Sequence, residues 1–566
     1  MTKGAQILVQ ALKMCGVKYI FGVPGDTSIP FYAALSEEKG AITHIMARQE
    51  RSAAYMADAY ARLTNKPGVC EAPSGAGATY ILPGVAEAND SSIPLIVLTS
   101  DIPQAFRHRG TITELDQPGL FRPVTRWNCL VSSARDIVPM LSRAFKEATT
   151  GRGGAVQLTF PKDVLEEEAE VELQLSPQKV VYPSSRPRPE PALIEKAARA
   201  ILAARRPVII AGGGVLLSRA HPELEELAGT AGIPVATTIT GKGSIPENHA
   251  WSLGVIGDNG GRDYANRYLQ TADLAAFIGC KTGSVATRNW TLPPPSTRII
   301  HIDIDPSEVG KNYPTEIGIV ADAKAALQDL LSFFISENKV IQPRTELLNE
   351  IRSSSARWWQ SLKPRLNSAH FPLSAYRVIN ELQHLLPADC ILAVDSGVAI
   401  PMMAACYQQR EAGRKILFPR AHGGLGYAIP AAIGAKTTFP DKSVVALVGD
   451  GSMGFSAGEL ETARRLNLPI VFLVFNNSGF DWIKTLQWLH RQREFFGVDF
   501  TPVDYSRVGE AFGCRGVRVN SPHHLTEALK KALRSDEPWV IDIPVKPMHQ
   551  ELPPVASWEE MKGERE

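Results

Sequence analysis

The stretch VVALVGDGSMGF (444–455) drives an apolar run straight into an aspartate held between two glycines. A helical pattern, SAGELETARRLN, follows, then a second apolar run, LPIVFLVF, which closes on Asn476-Asn477-Ser478-Gly479. Strand, Asp-bearing loop, helix, strand and Asn-bearing loop make one βαβ unit. Parallel strands need such a crossover, the crossover is right-handed, and both loops then open at the carboxyl edge of the sheet. Asp450 and Asn477 are therefore expected to be neighbours. A chain with this unit is committed to a parallel sheet covered on both faces, because its strands lack the polar alternation that would face water.

The same pattern recurs. VKYIFGVPG, PLIVLTS and AVQLTF punctuate the first third, PVIIAGGG, LAAFIG and RIIHIDIDP the middle, and CILAVDSG, VVALVGDG and IVFLVFNN the last. Each short apolar run ends in small or polar residues and passes into helical periodicity, the pattern of doubly wound α/β sheets. Two compositional breaks, EEEAEVELQLSPQKVVYPSSRPRPEP (166–191) and SENKVIQPRTEL (336–347), separate the thirds. They predict three α/β domains with parallel sheets, at residues 1–183, 190–338 and 345–566. The triglycine of AGGGVLLSRAHPELEELAG (211–229) fits a structural turn better than a dinucleotide cradle, because GxGxxG and a later acid are missing.

Composition narrows the partners. Sixty Lys and Arg against 59 Asp and Glu leave a charge of +1, which gives no basic surface for nucleic acid or an acidic membrane. The seven cysteines are scattered, odd in number and free of CxxC spacing, as in a reducing compartment. MTKGAQILVQALKMCG reads as an amphipathic helix broken by Lys3 and Lys13, and no apolar run is long enough to span a bilayer. The expectation is a soluble, cytoplasmic protein acting on small molecules.

Locally, the glycines of GDG permit a tight turn and the aspartate caps a helix, with no function required. With the Asn-bearing loop beside it, more becomes possible. The Asp450 carboxylate, the Asn477 amide oxygen and the Gly479 carbonyl are hard oxygen donors of the kind Mg²⁺ takes, with phosphates filling its remaining positions. The amides of Gly451 and Ser452 suit those phosphates. GDG followed at this distance by NN resembles the thiamine-diphosphate signature.

The first third carries FGVPGDTSIPF, HIMARQERSAAYMADAYAR and EAPSGAGAT. By spacing alone, Glu50 is a first-turn glutamate favoured by the helix dipole. The pattern Gly-x-Pro-Gly, Arg-x-Glu-x-x-Ala and Ala-x-x-Ala-x-x-Tyr-Ala-Arg resembles the pyrimidine-binding domain of thiamine-diphosphate enzymes of the acetolactate synthase-like family. HGGLGYAIPAAIGA (422–435) is similar to that family's GxLGxxxPAAIGA run, and the likeness extends through GKGSIPENH (241–249) and HIDIDPSEVGKNYP (301–314).

The resemblance implies pyrimidine-binding, central and diphosphate-binding domains, with thiamine diphosphate and Mg²⁺ as cofactors. It makes Glu50 the activating acid, which drives the aminopyrimidine into its imino form through a hydrogen bond to the ring nitrogen. Leu425 becomes the wedge that bends the cofactor, and the Gly423 carbonyl the acceptor of the pyrimidine amino group. Gly25, Asp26, Thr27, Pro73, Ser74, Ser396, Ser452 and Met453 are expected around the cofactor. On the substrate side stand Gln117, in TELDQPGLFRPVTRW, for which a loop hydrogen bond accounts equally, and His422 as a replacement acid, for which a turn cap is the better account. Phe480, Trp482 and Ile483 would line the substrate mouth or pack in the core. Pro73 replaces the histidine of benzoylformate decarboxylase-type relatives. GCKTGSVATRNW (279–290) replaces the Gly-Ala-Arg-Phe-Asp-Asp-Arg run of acetolactate synthase, which weighs against FAD. The activity implied is decarboxylation of a 2-oxo acid with carboligation to a second carbonyl, in a homodimer or homotetramer with shared sites. A simple decarboxylase or C–C lyase is the alternative, and a non-catalytic cofactor-binding protein a distant one.

Overall fold

The computed structural model describes residues 1–38, 40–172, 181–336, 344–490 and 494–563. Each third of the chain builds one sheet of six parallel strands. The first contains β1 (Tyr19–Gly22), β2 (Thr43–Met46), β3 (Gly68–Ala72), β4 (Leu95–Asp101), β5 (Trp127–Leu130) and β6 (Ala155–Pro161), in the order β2-β1-β3-β4-β6-β5. The second contains β7 (Pro207–Ala211), β8 (Val235–Thr237), β9 (Ser252–Val255), β10 (Leu274–Ile278), β11 (Arg298–Asp303) and β12 (Ile317–Val320), in the order β9-β8-β7-β10-β11-β12. The third contains β13 (Ile391–Val394), β14 (Ile416–Leu417), β15 (Val444–Gly449), β16 (Ile470–Asn476), β17 (Arg515–Arg518) and β18 (Trp539–Pro544), in the order β14-β13-β15-β16-β18-β17. Every residue of β4, β6 and β16 is buried, as expected of strands covered on both faces.

The amino-terminal amphipathic pattern is a helix, Gly4–Met14. The preceding Thr2–Lys3 adds an antiparallel pair with Glu168–Ala169 that no sequence signal announced. The two compositional breaks lie partly outside the described residues, at 173–180 and 337–343. Thr345 already opens a helix, Thr345–Leu366, so the second break ends before the polar run does.

The chain divides into two compact units, Met1–Ser185 with Pro419–Asp441 and Ser456–Ile470, and Arg186–Phe418 with Lys442–Phe455 and Val471–Glu566. In the first, Leu12, Phe31, Ile96, Leu141 and Val156 belong to one core, each worth about 1.5–3 kcal/mol of apolar transfer. Against the sheet lie α1 (Glu50–Thr64) and α2 (Leu82–Asp90), with α3 (Ala428–Thr438) packed on α1. Small residues make that packing close. A Cβ at Gly434 would lie 2.5 Å from the Met56 carbonyl oxygen, so only glycine admits the approach.

In the second unit, the strand-end loops after β7 and β10 interlock. A Cβ at Gly212 would sit 2.1 Å from the Gly279 carbonyl, and the triglycine is thereby explained by backbone packing. A buried ion cluster adds to this unit. Glu247 accepts from Lys242 at 2.6 Å and lies 3.1 Å from Arg262, while the two cations donate to the carbonyls of Ala404 and Ala405. Burial lowers the Lys242 ammonium to about 8 against the opposing pull of Glu247.

Candidate active site

In the second unit, β15 ends at Gly449 and its successor Asp450 opens α4 (Asp450–Ser456), while β16 ends at Asn476. One Asp450 carboxylate oxygen accepts the Asn477, Ser478 and Gly479 amides at 3.0, 2.6 and 3.3 Å, and the other accepts its neighbour Gly451 at 2.8 Å. The two loops of the βαβ unit are thus clasped by the residue that distinguishes the first. Burial raises the Asp450 carboxyl above its ordinary value, and these four amides pull it back. Asn477 donates its amide nitrogen to Asp481 at 2.6 Å, which leaves its amide oxygen available. Asp481, pushed up to about 6 by burial, also accepts the Met548 amide.

This donor set suits Mg²⁺. It offers one carboxylate and two neutral oxygens, from Asn477 and Gly479, as expected where phosphates complete the shell. Among the described residues there is no cluster of three or more His, Cys, Asp or Glu able to hold a metal without such help. A Cβ at Gly451 would lie 2.9 Å from the Phe480 ring, so glycine keeps that turn closed. Ser452 and Met453 are buried in the first turn of α4. Ser396 follows β13, which pairs with β15, and so stands at the same sheet edge. Its amide is held by Asp395 at 2.9 Å. Of the three residues named after the Asn-bearing loop, Phe480 and Trp482 are half-buried and Ile483 is exposed.

In the first unit, Glu50 begins α1 and is buried, with a carboxyl oxygen 3.3 Å from where a Gly77 Cβ would stand. Gly25 packs on Pro73, and Asp26 is exposed beside it. Hydroxyls line the same edge. Thr27 bonds Ser74 at 3.1 Å and Ser100 at 2.7 Å, and Ser74 bonds Thr113 at 2.8 Å. Gln117 is fully buried, donating to the Ser100 carbonyl at 2.8 Å and accepting from Thr99 at 2.5 Å. The loop hydrogen bond weighed for it in the sequence is present.

Residues 419–427 belong to this unit too. Glu87 of α2 accepts the amides of Ala421 (3.2 Å) and His422 (2.9 Å), and the His422 imidazole meets Asp90 at 2.9 Å. Gly423 is left-handed, with φ 66°. Tyr427 donates to Asp58 at 2.8 Å, and Asp58 in turn accepts from Arg62 at 2.7 Å. Leu425 is half-buried between these anchors.

Three family models cover most of the chain. Residues 2–120 match the thiamine pyrophosphate enzyme N-terminal TPP binding domain, 194–330 the central domain and 396–543 the C-terminal TPP binding domain. The chain belongs to the thiamine pyrophosphate enzymes. A protein named probable acetolactate synthase large subunit from Methanocaldococcus jannaschii is 36% identical over 554 residues, 96% of this chain and 92% of that one. The acetolactate synthase isozyme 3 large subunit of Escherichia coli K12 is 32% identical over 94% of this chain and 92% of its own length. The large subunit from Corynebacterium glutamicum is 32% identical over 98% and 88%.

Sequence reading missed the buried acids of this thiamine pyrophosphate enzyme. Glu71 accepts the Tyr32 hydroxyl at 2.6 Å, and burial pushes it up to about 8. Glu459 accepts the Arg48 amide, just before α1, at 2.9 Å. For Glu71, and for Glu87 above, a charged residue inside GVCEA or LPGVAEAND was the available signal, since such positions call for a partner.

Proposed function

We propose that this enzyme binds thiamine diphosphate with Mg²⁺, decarboxylates a 2-oxo acid and joins the product to a second carbonyl, as an acetolactate synthase-like carboligase. The observation that carries the metal and cofactor reading is the clasp of Asp450 on residues 477–479. The near full-length likeness to proteins named acetolactate synthase supports the reaction.

Bound thiamine diphosphate supplies a nucleophilic carbon and an electron sink for loss of CO₂. The chain supplies the rest. Asp450, Asn477 and Gly479 hold Mg²⁺; Gly451, Ser452, Met453 and Ser396 hold the diphosphate; Gly25, Asp26 and Ser74 complete the binding surface. With the cofactor bound, a Glu50 carboxyl oxygen would hold and move a proton at the pyrimidine ring nitrogen, the Gly423 carbonyl would accept from the pyrimidine amino group, and Leu425 would pack against the cofactor. His422 is proposed to face the substrate as an acid whose imidazole Asp90 orients, whereas Gln117 is enclosed by Thr99 and Ser100 and has no exposed surface to offer a substrate. The boundaries 1–183, 190–338 and 345–566 are proposed for the pyrimidine-binding, central and diphosphate-binding domains. FAD forms no part of this reading, because GCKTGSVATRNW (279–290) stands where acetolactate synthase carries its Gly-Ala-Arg-Phe-Asp-Asp-Arg run.

The active unit is proposed to be a homodimer or a larger homo-oligomer with shared sites, in a reducing cytoplasmic setting that suits seven free cysteines. Support for shared sites comes from α1. Glu50 is its first residue, whereas residues 421–427 are tied to Tyr55, Asp58 and Arg62, roughly 8–18 Å along the axis. On this reading Glu50 is proposed to serve the cofactor of another copy.

The test supplies thiamine diphosphate and Mg²⁺, offers 2-oxo acids alone and with aldehyde or 2-oxo acid acceptors, and measures CO₂ with product masses. Acetohydroxy acids or 2-hydroxyketones are expected. Free aldehyde alone would make the protein a decarboxylase, and no CO₂ from any acid would overturn the donor class.

A further inference from the structure

Glu87 is a carboxylate with no place in the mechanism above, yet it is 1% exposed. One oxygen meets Arg62 at 3.4 Å and Ser91 at 2.9 Å, and both oxygens turn to the amides of Ala421 and His422. Asp90 lies three residues on, on the same face of α2, and takes the His422 imidazole. Two carboxylates on one helix face thus hold both the backbone and the side chain at the entry to residues 421–425.

The far end of the segment is fixed independently. Tyr427 bonds Asp58, and its ring meets Tyr55 edge-on at 5.1 Å between centroids. Tyr55 also leaves no room for a Cβ at Gly424, which would lie 2.6 Å from its hydroxyl. Between these anchors Gly423 and Gly426 both take positive φ, 66° and 82°. A segment with two left-handed glycines has wide conformational freedom, and its course is set by what grips its ends.

We propose that Glu87, seconded by Asp90, is a positioning residue that sets the height of the Gly423 carbonyl and the Leu425 side chain for the bound cofactor. This rests on the cofactor reading of residues 423–425 given above. A buried carboxylate suits the task, because its two acceptor oxygens take both backbone amides at once and donate to neither. Glutamine at the same place would present an NH₂ group to amides that themselves donate, and the grip would loosen without loss of volume.

Thiamine diphosphate is titrated into the full-length protein with Mg²⁺ in excess, with tryptophan fluorescence as the readout, and turnover is then measured at saturating cofactor. Glu87→Gln is expected to raise the cofactor Kd about tenfold, equivalent to about 1.4 kcal/mol. It should lower kcat by a larger factor than it raises KM for the 2-oxo acid, since the loosened segment carries Gly423 and Leu425 toward the cofactor and only His422 toward the substrate. Glu87→Asp keeps the charge one methylene short and should fall between. Ser91→Ala removes a contact of Glu87 outside the segment and should leave Kd and kcat at wild-type values. Wild-type Kd and kcat in Glu87→Gln would overturn the proposal while the cofactor reading stands. A wild-type protein that does not bind thiamine diphosphate would overturn both. If Glu87→Gln does not fold, Asp90→Asn at the exposed end of the clamp decides. A Kd raised about two- to threefold supports the proposal, and an unchanged Kd overturns it.

Discussion

At the scale of single residues, the site depends on where carboxylates are allowed to keep their charge. Glu50→Gln should retain the cofactor yet lose at least about tenfold in turnover, because the amide holds the ring nitrogen without exchanging its proton. Equal turnover in a steady-state assay would remove the activating role. Glu71 follows a different rule. Burial lifts its carboxyl from an ordinary 4.5 to about 8, so the stability its protonated form contributes is complete below about pH 4.5 and is lost as pH rises through 8. Glu71→Gln should therefore melt close to wild type at pH 5 and a few degrees above it at pH 9, measured by thermal scans across that range. Asp450 could be placed beside residues 477–479 from the sequence because the βαβ unit brings both loops to one edge, whereas Glu50 stood out only through the family resemblance. Glu71 and Glu87 could not be placed. Their identities make sense only with Tyr32 and with the amides of residues 421 and 422, the latter 334 and 335 positions away.

Elements were more legible than their packing. The apolar runs with small-residue closures marked β13, β15 and β16 because a parallel strand buried on both faces has no other composition. That α3 would lie on α1 was not visible, since Ala-rich helices look alike whatever they meet. The contact is nevertheless severe. Gly434→Ala would press a methyl to within 2.5 Å of the Met56 backbone, which cannot rotate away, and should cost about 1–3 kcal/mol in denaturant unfolding. Gly229, in the helix His221–Ala231 with nothing within 4 Å of its would-be Cβ, gives the contrast. Gly229→Ala should be stabilising by up to about 1 kcal/mol.

For the whole molecule, ligand and fold are linked. Thiamine diphosphate with Mg²⁺ should raise Tm in a concentration-dependent way, by about 2.7 kcal/mol of stabilisation at a hundred times Kd. Asp450→Ala should abolish the Mg²⁺-dependent part of that rise, and a rise equal to wild type in calorimetry would show that the metal lies elsewhere. The three-sheet plan was legible from the spacing of strands and breaks. The division into two compact units was not, because it joins Pro419–Asp441 and Ser456–Ile470 to the first 185 residues.

That division has a consequence during synthesis. A ribosome that has finished Ser185 has made the whole first sheet but neither α3 nor the segment after it, and α1 waits with its alanine face uncovered. At about 5–20 residues per second, the missing pieces arrive roughly ten to sixty seconds later. Until then the nascent chain displays an apolar helix surface that invites chaperones or self-association, so slowing translation between codons 186 and 418 should lower the soluble yield more than slowing it after codon 471.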